Sequence, residues 1–152
     1  METEKRIEEL GIELPDSSPP KAMYIPVKKT GNIIFVSGQI PAVDGEIVNP
    51  GRVGESVTEE QASESARICA VNIIAALKSE LGDLDQVKNI VKIQGFVNSA
   101  PSFDRQHLVV NAASQLLFDV FGEKGRHART VVGVAALPLN APVEIEAIVE
   151  VL

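Results

Sequence analysis

The sequence predicts an α+β domain in which two helices pack on one face of a mixed β-sheet. Two stretches carry apolar residues at helical spacing, around residues 62–77 and 108–121. Runs rich in Val and Ile lie before, between and after them. The resulting order, strands, helix, strand, helix, strand, strand, suits one layer of helices on one sheet. The chain's 152 residues are 45% apolar and 23% charged, enough to bury a core without a disulfide or a metal.

The first 21 residues read as an arm and residues 22–152 as the body. Within the arm, residues 4–10 form a short helix with Gly11 as its stop, and residues 14–20, holding Pro15, Pro19 and Pro20, form an irregular connector. The arm lies on its own domain or on a neighbour. In the body, residues 24–27 and 33–36 are strands around a Thr30-Gly31-Asn32 turn, and Asp44-Gly45 marks a second turn. Thr58-Glu59-Glu60-Gln61 is a capping box that opens the first long helix, which ends at Gly82. Residues 87–97 are a long strand. Ser102 caps the second long helix, which stops at residues 122–125. Residues 130–136 and 143–151 are the closing strands. Residues 130–137 are apolar on both faces, so a second copy of the chain is the simplest cover for the face the helices leave open.

The formal net charge is −7, which argues against a nucleic-acid binder built on clustered Lys and Arg. Cys69 is the only cysteine and sits inside the first helix's apolar stripe, where a small core residue is the better reading than a nucleophile. No apolar run approaches the ~20 residues that span a bilayer, and the charged start does not resemble a secretory signal, so the expected compartment is the cytosol. His107 and His127 carry no metal-binding spacing and read as surface residues. Arg129 opens an apolar strand, where a charge needs a partner; that partner is a glutamate in a structural ion pair or a small carboxylate ligand, and chemistry alone favours the ion pair. Glu144, Glu146 and Glu150 share one side of the last strand, as a solvated edge would, although one of them in a drier pocket could orient water or move a proton.

Two blocks resemble the reactive-intermediate deaminase family (RidA, also called YjgF). They are Gly31-Asn32-Ile33-Ile34-Phe35-Val36-Ser37-Gly38-Gln39-Ile40-Pro41, and Arg129-Thr130-Val131-Val132-Gly133-Val134-Ala135-Ala136-Leu137-Pro138 followed by Val143-Glu144-Ile145-Glu146-Ala147. The resemblance covers about residues 22–152. It implies a chorismate-mutase-like fold, a homotrimer with pockets between subunits, and hydrolysis of enamines and imines to 2-oxo acids and ammonia without metal or organic cofactor. By motif, Arg129 falls on the substrate-carboxylate arginine and Glu144 on the water-positioning glutamate. Tyr24, Ser37, Gly38 and Asn111 fall on pocket-lining positions. Val131 stands where many members have a pocket cysteine, Ala22-Met23-Tyr24-Ile25-Pro26 replaces Gly-Pro-Tyr-Ser-Gln, and His127-Ala128-Arg129 replaces Pro-Ala-Arg. With the arm, these departures suggest a longer branch.

A simple hairpin of the last two strands around Asn140 would set Arg129 and Glu144 about seven residues apart, ~23 Å at 3.3 Å per residue. One chain could not then bring both to one small ligand, whereas an interface between chains could. The implied partner is a small imino or oxo acid, with no membrane and no nucleic acid. A non-catalytic carboxylate sensor on the same trimer and, less favoured, a ribonuclease are the rival readings.

Overall fold

The computed structural model describes residues 1–16 and 22–152. Part of the predicted connector, and the boundary between arm and body, fall outside the described residues. Three helices, α1 (Glu2–Glu9), α2 (Glu59–Leu81) and α3 (Gln106–Phe121), accompany seven strands. These are β1 (Val27–Thr30), β2 (Ile33–Gln39), β3 (Ala42–Val43), β4 (Glu46–Ile47), β5 (Val87–Asn98), β6 (Ala128–Val134) and β7 (Val143–Val151). The main sheet runs β1-β2-β7-β5-β6; only the β5–β6 pair is parallel, and α3 supplies the crossover that a parallel pair requires. β3 and β4 form a separate two-stranded hairpin whose turn residues, Asp44 and Gly45, both have positive φ.

α2 begins at the predicted capping box, with Thr58 Oγ1 accepting from the Gln61 amide and Gln61 Oε1 accepting from the Thr58 amide, and it ends at Gly82. Its apolar stripe, Cys69 included, is buried with α3 against the alternate residues Val143, Ile145, Ala147, Val149 and Val151 of β7. α3 starts later than expected. Ser102 does not cap it, because the chain first makes a turn in which the Phe103 amide bonds the Ala100 carbonyl. Arg105 takes the N-cap position without a side-chain cap, and its guanidinium grips Glu59 through two hydrogen bonds of 3.1 and 2.9 Å.

The closing strands are not a hairpin. β5 lies between β6 and β7, pairing parallel with the one and antiparallel with the other. The link at residues 135–142 places Leu139 and Asn140 at positive φ and is tied down by Asn140 O to the Gly51 amide and Pro142 O to the Asn98 amide. It therefore crosses the end of β5 instead of folding β7 back on β6.

α1 packs on its own domain. Asp85 accepts from the Glu2 and Thr3 amides at 2.7 and 2.8 Å, satisfying two of the orphan donors of the first turn. Glu4 bonds Lys78 Nζ and the Leu84 amide, while Ile7 and Ile12 enter the common core. On the opposite side of the sheet, Phe35 and Val132 are 46% and 40% exposed, and no described element of the chain covers that face.

Candidate functional site

The motif residues fall into two groups on opposite faces of the main sheet. On the helix side, Arg129 near the start of edge strand β6 reaches across to α3. Its Nη1 donates to Asn111 Oδ1 at 2.9 Å and to Ser114 Oγ at 3.2 Å, and its Nη2 donates to the His107 carbonyl at 3.3 Å. α3 can come this close because Gly95 of β5 has no side chain; a Cβ there would stand 2.9 Å from Val110. All three acceptors are neutral, and Arg129 takes part in none of the ion pairs among the described residues. The expected structural ion pair with a glutamate is thus not formed. Partial burial pulls the guanidinium's pKa down. Val131, two residues on, faces the same side and packs against the core.

His127 is not a plain surface residue. Its Nδ1 lies 2.6 Å from the Gly125 carbonyl, which can only accept, so the proton sits on Nδ1. Nε2 is then the acceptor for the Ser114 hydroxyl at 2.9 Å. Burial is the main cause lowering the His127 pKa; the Gly125 carbonyl opposes it and the Arg129 charge adds to it. Arg129, Asn111, Ser114 and His127 line an open groove of about 410 Å³ with Phe118 and Arg126.

The second group lies on the open face. Glu144 on β7 is half-buried, and its pKa is raised by that burial and then by the neighbouring Glu146. Its carboxylate presses on Gly38 of β2 so closely that a Cβ at 38 would be 2.7 Å from Oε1. Ser37 holds the preceding loop, its hydroxyl donating to the Ile25 carbonyl at 2.7 Å and its amide to the Pro26 carbonyl at 2.8 Å. That loop carries Tyr24, which is exposed.

The register fixes how far apart the groups are. Arg129 stands opposite Ile93 and Glu144 opposite Phe96 on the intervening strand β5. Three residues along and two strands across put their Cα atoms about 14 Å apart. The shorter spacing corrects the hairpin estimate, but the side chains point to opposite faces: Ile93 and Ala147 are buried under the helices, while Glu144 and Phe96 alternate away from them. A ligand touching both groups needs them from different chains.

Among the described residues, the one gathering of three candidate metal ligands is Glu4, Asp83 and Asp85, none of which belongs to either group. Asp85 there holds the α1 amides and the N-terminal amine, Asp83 the Asp85 amide, and Glu4 pairs with Lys78.

Residues 4–151 match the family model described as "YjgF/chorismate_mutase-like, putative endoribonuclease". The chain belongs to the YjgF family. Protein TCP17 of Trypanosoma cruzi is 45% identical over 145 residues, covering 95% of this chain and 91% of that relative. A protein of unknown function from Agrobacterium tumefaciens has a crystal structure that superposes with a TM-score of 0.92 at 49% identity, covering 98% and 92% of the two chains. A Shewanella oneidensis protein, titled "a putative endoribonuclease", gives a TM-score of 0.94 at 30% identity, covering 98% and 99%. The mixed sheet with its helical layer is therefore the YjgF fold, and no described helix is long and apolar enough to cross a membrane.

Sequence reasoning missed Ser114 and the contacts that His127 makes with it and with Gly125. Ser114 follows Asn111 by three residues on one helix, and so shares its face. A histidine at 127, where the resemblance leads one to expect proline, is a second available signal.

Proposed function

We propose that this chain is an imine deaminase that works as a homotrimer, converting 2-iminobutanoate- or 2-iminopropanoate-type acids to 2-oxo acids and ammonia. The observation that carries the reading is Arg129: a guanidinium held only by neutral acceptors, with its charge left for an anionic ligand. In each pocket, Arg129 and Asn111 of one copy face Glu144, Gly38, Ser37 and Tyr24 of another. Arg129 holds the substrate carboxylate through paired hydrogen bonds, fixing the adjacent C=N carbon. Glu144, whose carboxylate burial makes more basic than an ordinary glutamate, takes a proton from water as the water oxygen bonds to that carbon. The C=N electron pair moves to nitrogen, which is protonated; collapse of the resulting carbinolamine expels ammonia and leaves the C=O of the oxo acid. No metal or organic cofactor is needed for these steps. Because such imines also hydrolyse unaided, modest acceleration suffices.

The test couples the protein to a threonine dehydratase and follows 2-oxobutanoate release. Acceleration that disappears in Arg129→Ala supports the proposal. An unchanged rate with folded trimeric protein overturns it, and oxo-acid binding without turnover replaces it with a carboxylate sensor. The net charge of −7 weighs against the ribonuclease wording attached to the family.

A further inference from the structure

Arg129 does not meet Ser114 by simple proximity alone. A serine hydroxyl has one proton and two lone pairs, and it rotates freely until something fixes it. Here the fixing group is His127. The Gly125 carbonyl claims the Nδ1 proton, which leaves Nε2 as a bare acceptor 2.9 Å from Ser114 Oγ. The Ser114 proton therefore points at His127, and its lone pairs face Arg129 Nη1 at 3.2 Å. The anchor is packed closely, since a Cβ on Gly125 would collide with the Leu117 carbonyl. Asn111 holds the same Nη1 from the other side, and none of Arg129's described hydrogen bonds uses Nε. Nη1 is thus held by Asn111 and Ser114 and Nη2 by the His107 carbonyl. Nε has no described partner, which leaves the Nε side, with the second Nη2 proton, as the unclamped edge.

We infer that His127 is a positioning residue: by setting the polarity of the Ser114 hydroxyl it holds the Arg129 guanidinium in one orientation, with its unclamped edge turned to the ligand carboxylate. The inference rests on the carboxylate-binding reading of Arg129, and it assigns a purpose to the histidine that stands in this motif where proline is usual. A proline ring has no acceptor and would leave the hydroxyl free to rotate its proton toward the guanidinium. Burial of the ring and the nearby positive charge both favour the neutral imidazole that this arrangement requires.

The experiment is ¹⁵N NMR of the full chain together with imine kinetics. The His127 ring should show a protonated Nδ1 and an unprotonated Nε2, and rotation of the Arg129 guanidinium should be slow. His127→Leu and Ser114→Ala should both speed that rotation, and His127→Gln, whose amide oxygen can accept from Ser114, should restore slow rotation. In the coupled assay His127→Leu should raise KM about five- to tenfold, the worth of one hydrogen bond, with kcat nearly kept and with recovery in His127→Gln. A protonated Nε2 in the wild type, or a guanidinium equally restrained in His127→Leu, overturns the inference. The NMR measurement decides even where the protein turns over no imine, so failure of the deaminase reading is told apart from failure of the positioning role.

Discussion

Gly38→Ala tests the acidic half of the proposed pocket with a single methyl group. Gly38 lies in the irregular stretch of β2 between Val36 and Gln39 but not at positive φ, so alanine meets no left-handed backbone there and its clash is with Glu144. The added carbon would lie 2.7 Å from Oε1, 3.0 Å from Cδ and 3.1 Å from Cγ, against an ordinary contact that begins at 3.4 Å. The carboxylate must therefore retreat by at least 0.7 Å. Displacements on the order of 1 Å of a group that aims a reactant cost roughly 100-fold in rate, so kcat/KM for imine hydrolysis is expected to fall between about 10- and 100-fold while Tm moves little. A threonine-dehydratase-coupled assay of oxo-acid release reads the rate, and thermal unfolding reads the fold. Added to Glu144→Gln, the same alanine should cost almost nothing further, because both changes act on one group. Full activity in Gly38→Ala, or an undiminished penalty on the Glu144→Gln background, would refute the placement of the reacting water beside Glu144.

Arg129→Lys keeps the charge but loses the planar fork, so KM should rise more than tenfold while the protein stays folded, as checked by the coupled assay and circular dichroism. The raised pKa of Glu144 places the acid limb of the pH–rate profile above the ordinary carboxylate value of 4.5, and Glu144→Gln should lower the rate on the order of 100-fold, to a residual rate still measurable. A carboxyl whose pKa is raised on folding favours the fold when protonated, and that contribution is lost as pH rises through the folded value. Glu144→Gln should therefore raise Tm at neutral pH even as it lowers activity, which differential scanning calorimetry checks. Ile7→Ala, at a side chain only 5% exposed in the shared core, should destabilise by about 2 to 4 kcal/mol and lower Tm accordingly in denaturant and thermal melts. Glu4 and Asp85, both with lowered pKa values, lend stability that is present above the unfolded carboxylate range and lost as pH falls through their folded values. Protection of the α1 amides, measured relative to their intrinsic exchange rates, should accordingly fall at acid pH before that of α2.

How much of this could be read from the residues alone depended on the range of the interaction concerned. The capping box at Thr58 and Gln61, the stop at Gly82 and the alternation of β7 are local signals, and each is found where periodicity places it. Burial of Cys69 follows from the same stripe. The insertion of β5 between β6 and β7 is a matter of strand order across more than 40 residues, about which period-two patterns are silent. α3 starts later than the Ser102 signal suggests because a turn at residues 100–103 competes with Ser102 as a cap. Among the candidate site residues, Arg129 and Asn111 could be named from their motif and spacing, and they meet in space. That the arginine has only neutral partners could not be foreseen, since glutamates abound in the sequence and which of them reaches it depends on the fold. His127 was passed over because an isolated histidine announces nothing until the Gly125 carbonyl fixes its tautomer.

The opposite-face arrangement of Arg129 and Glu144 has a genetic corollary. In the proposed trimer, where Arg129 of one copy faces Glu144 of another, a chain crippled at one position still carries the other undamaged, so two inactive alleles should rescue each other when their products co-assemble. Mixing equal amounts of Arg129→Ala and Glu144→Gln polypeptides during refolding should leave about one pocket in four fully equipped in a closed ring, so that activity returns from two preparations that have little.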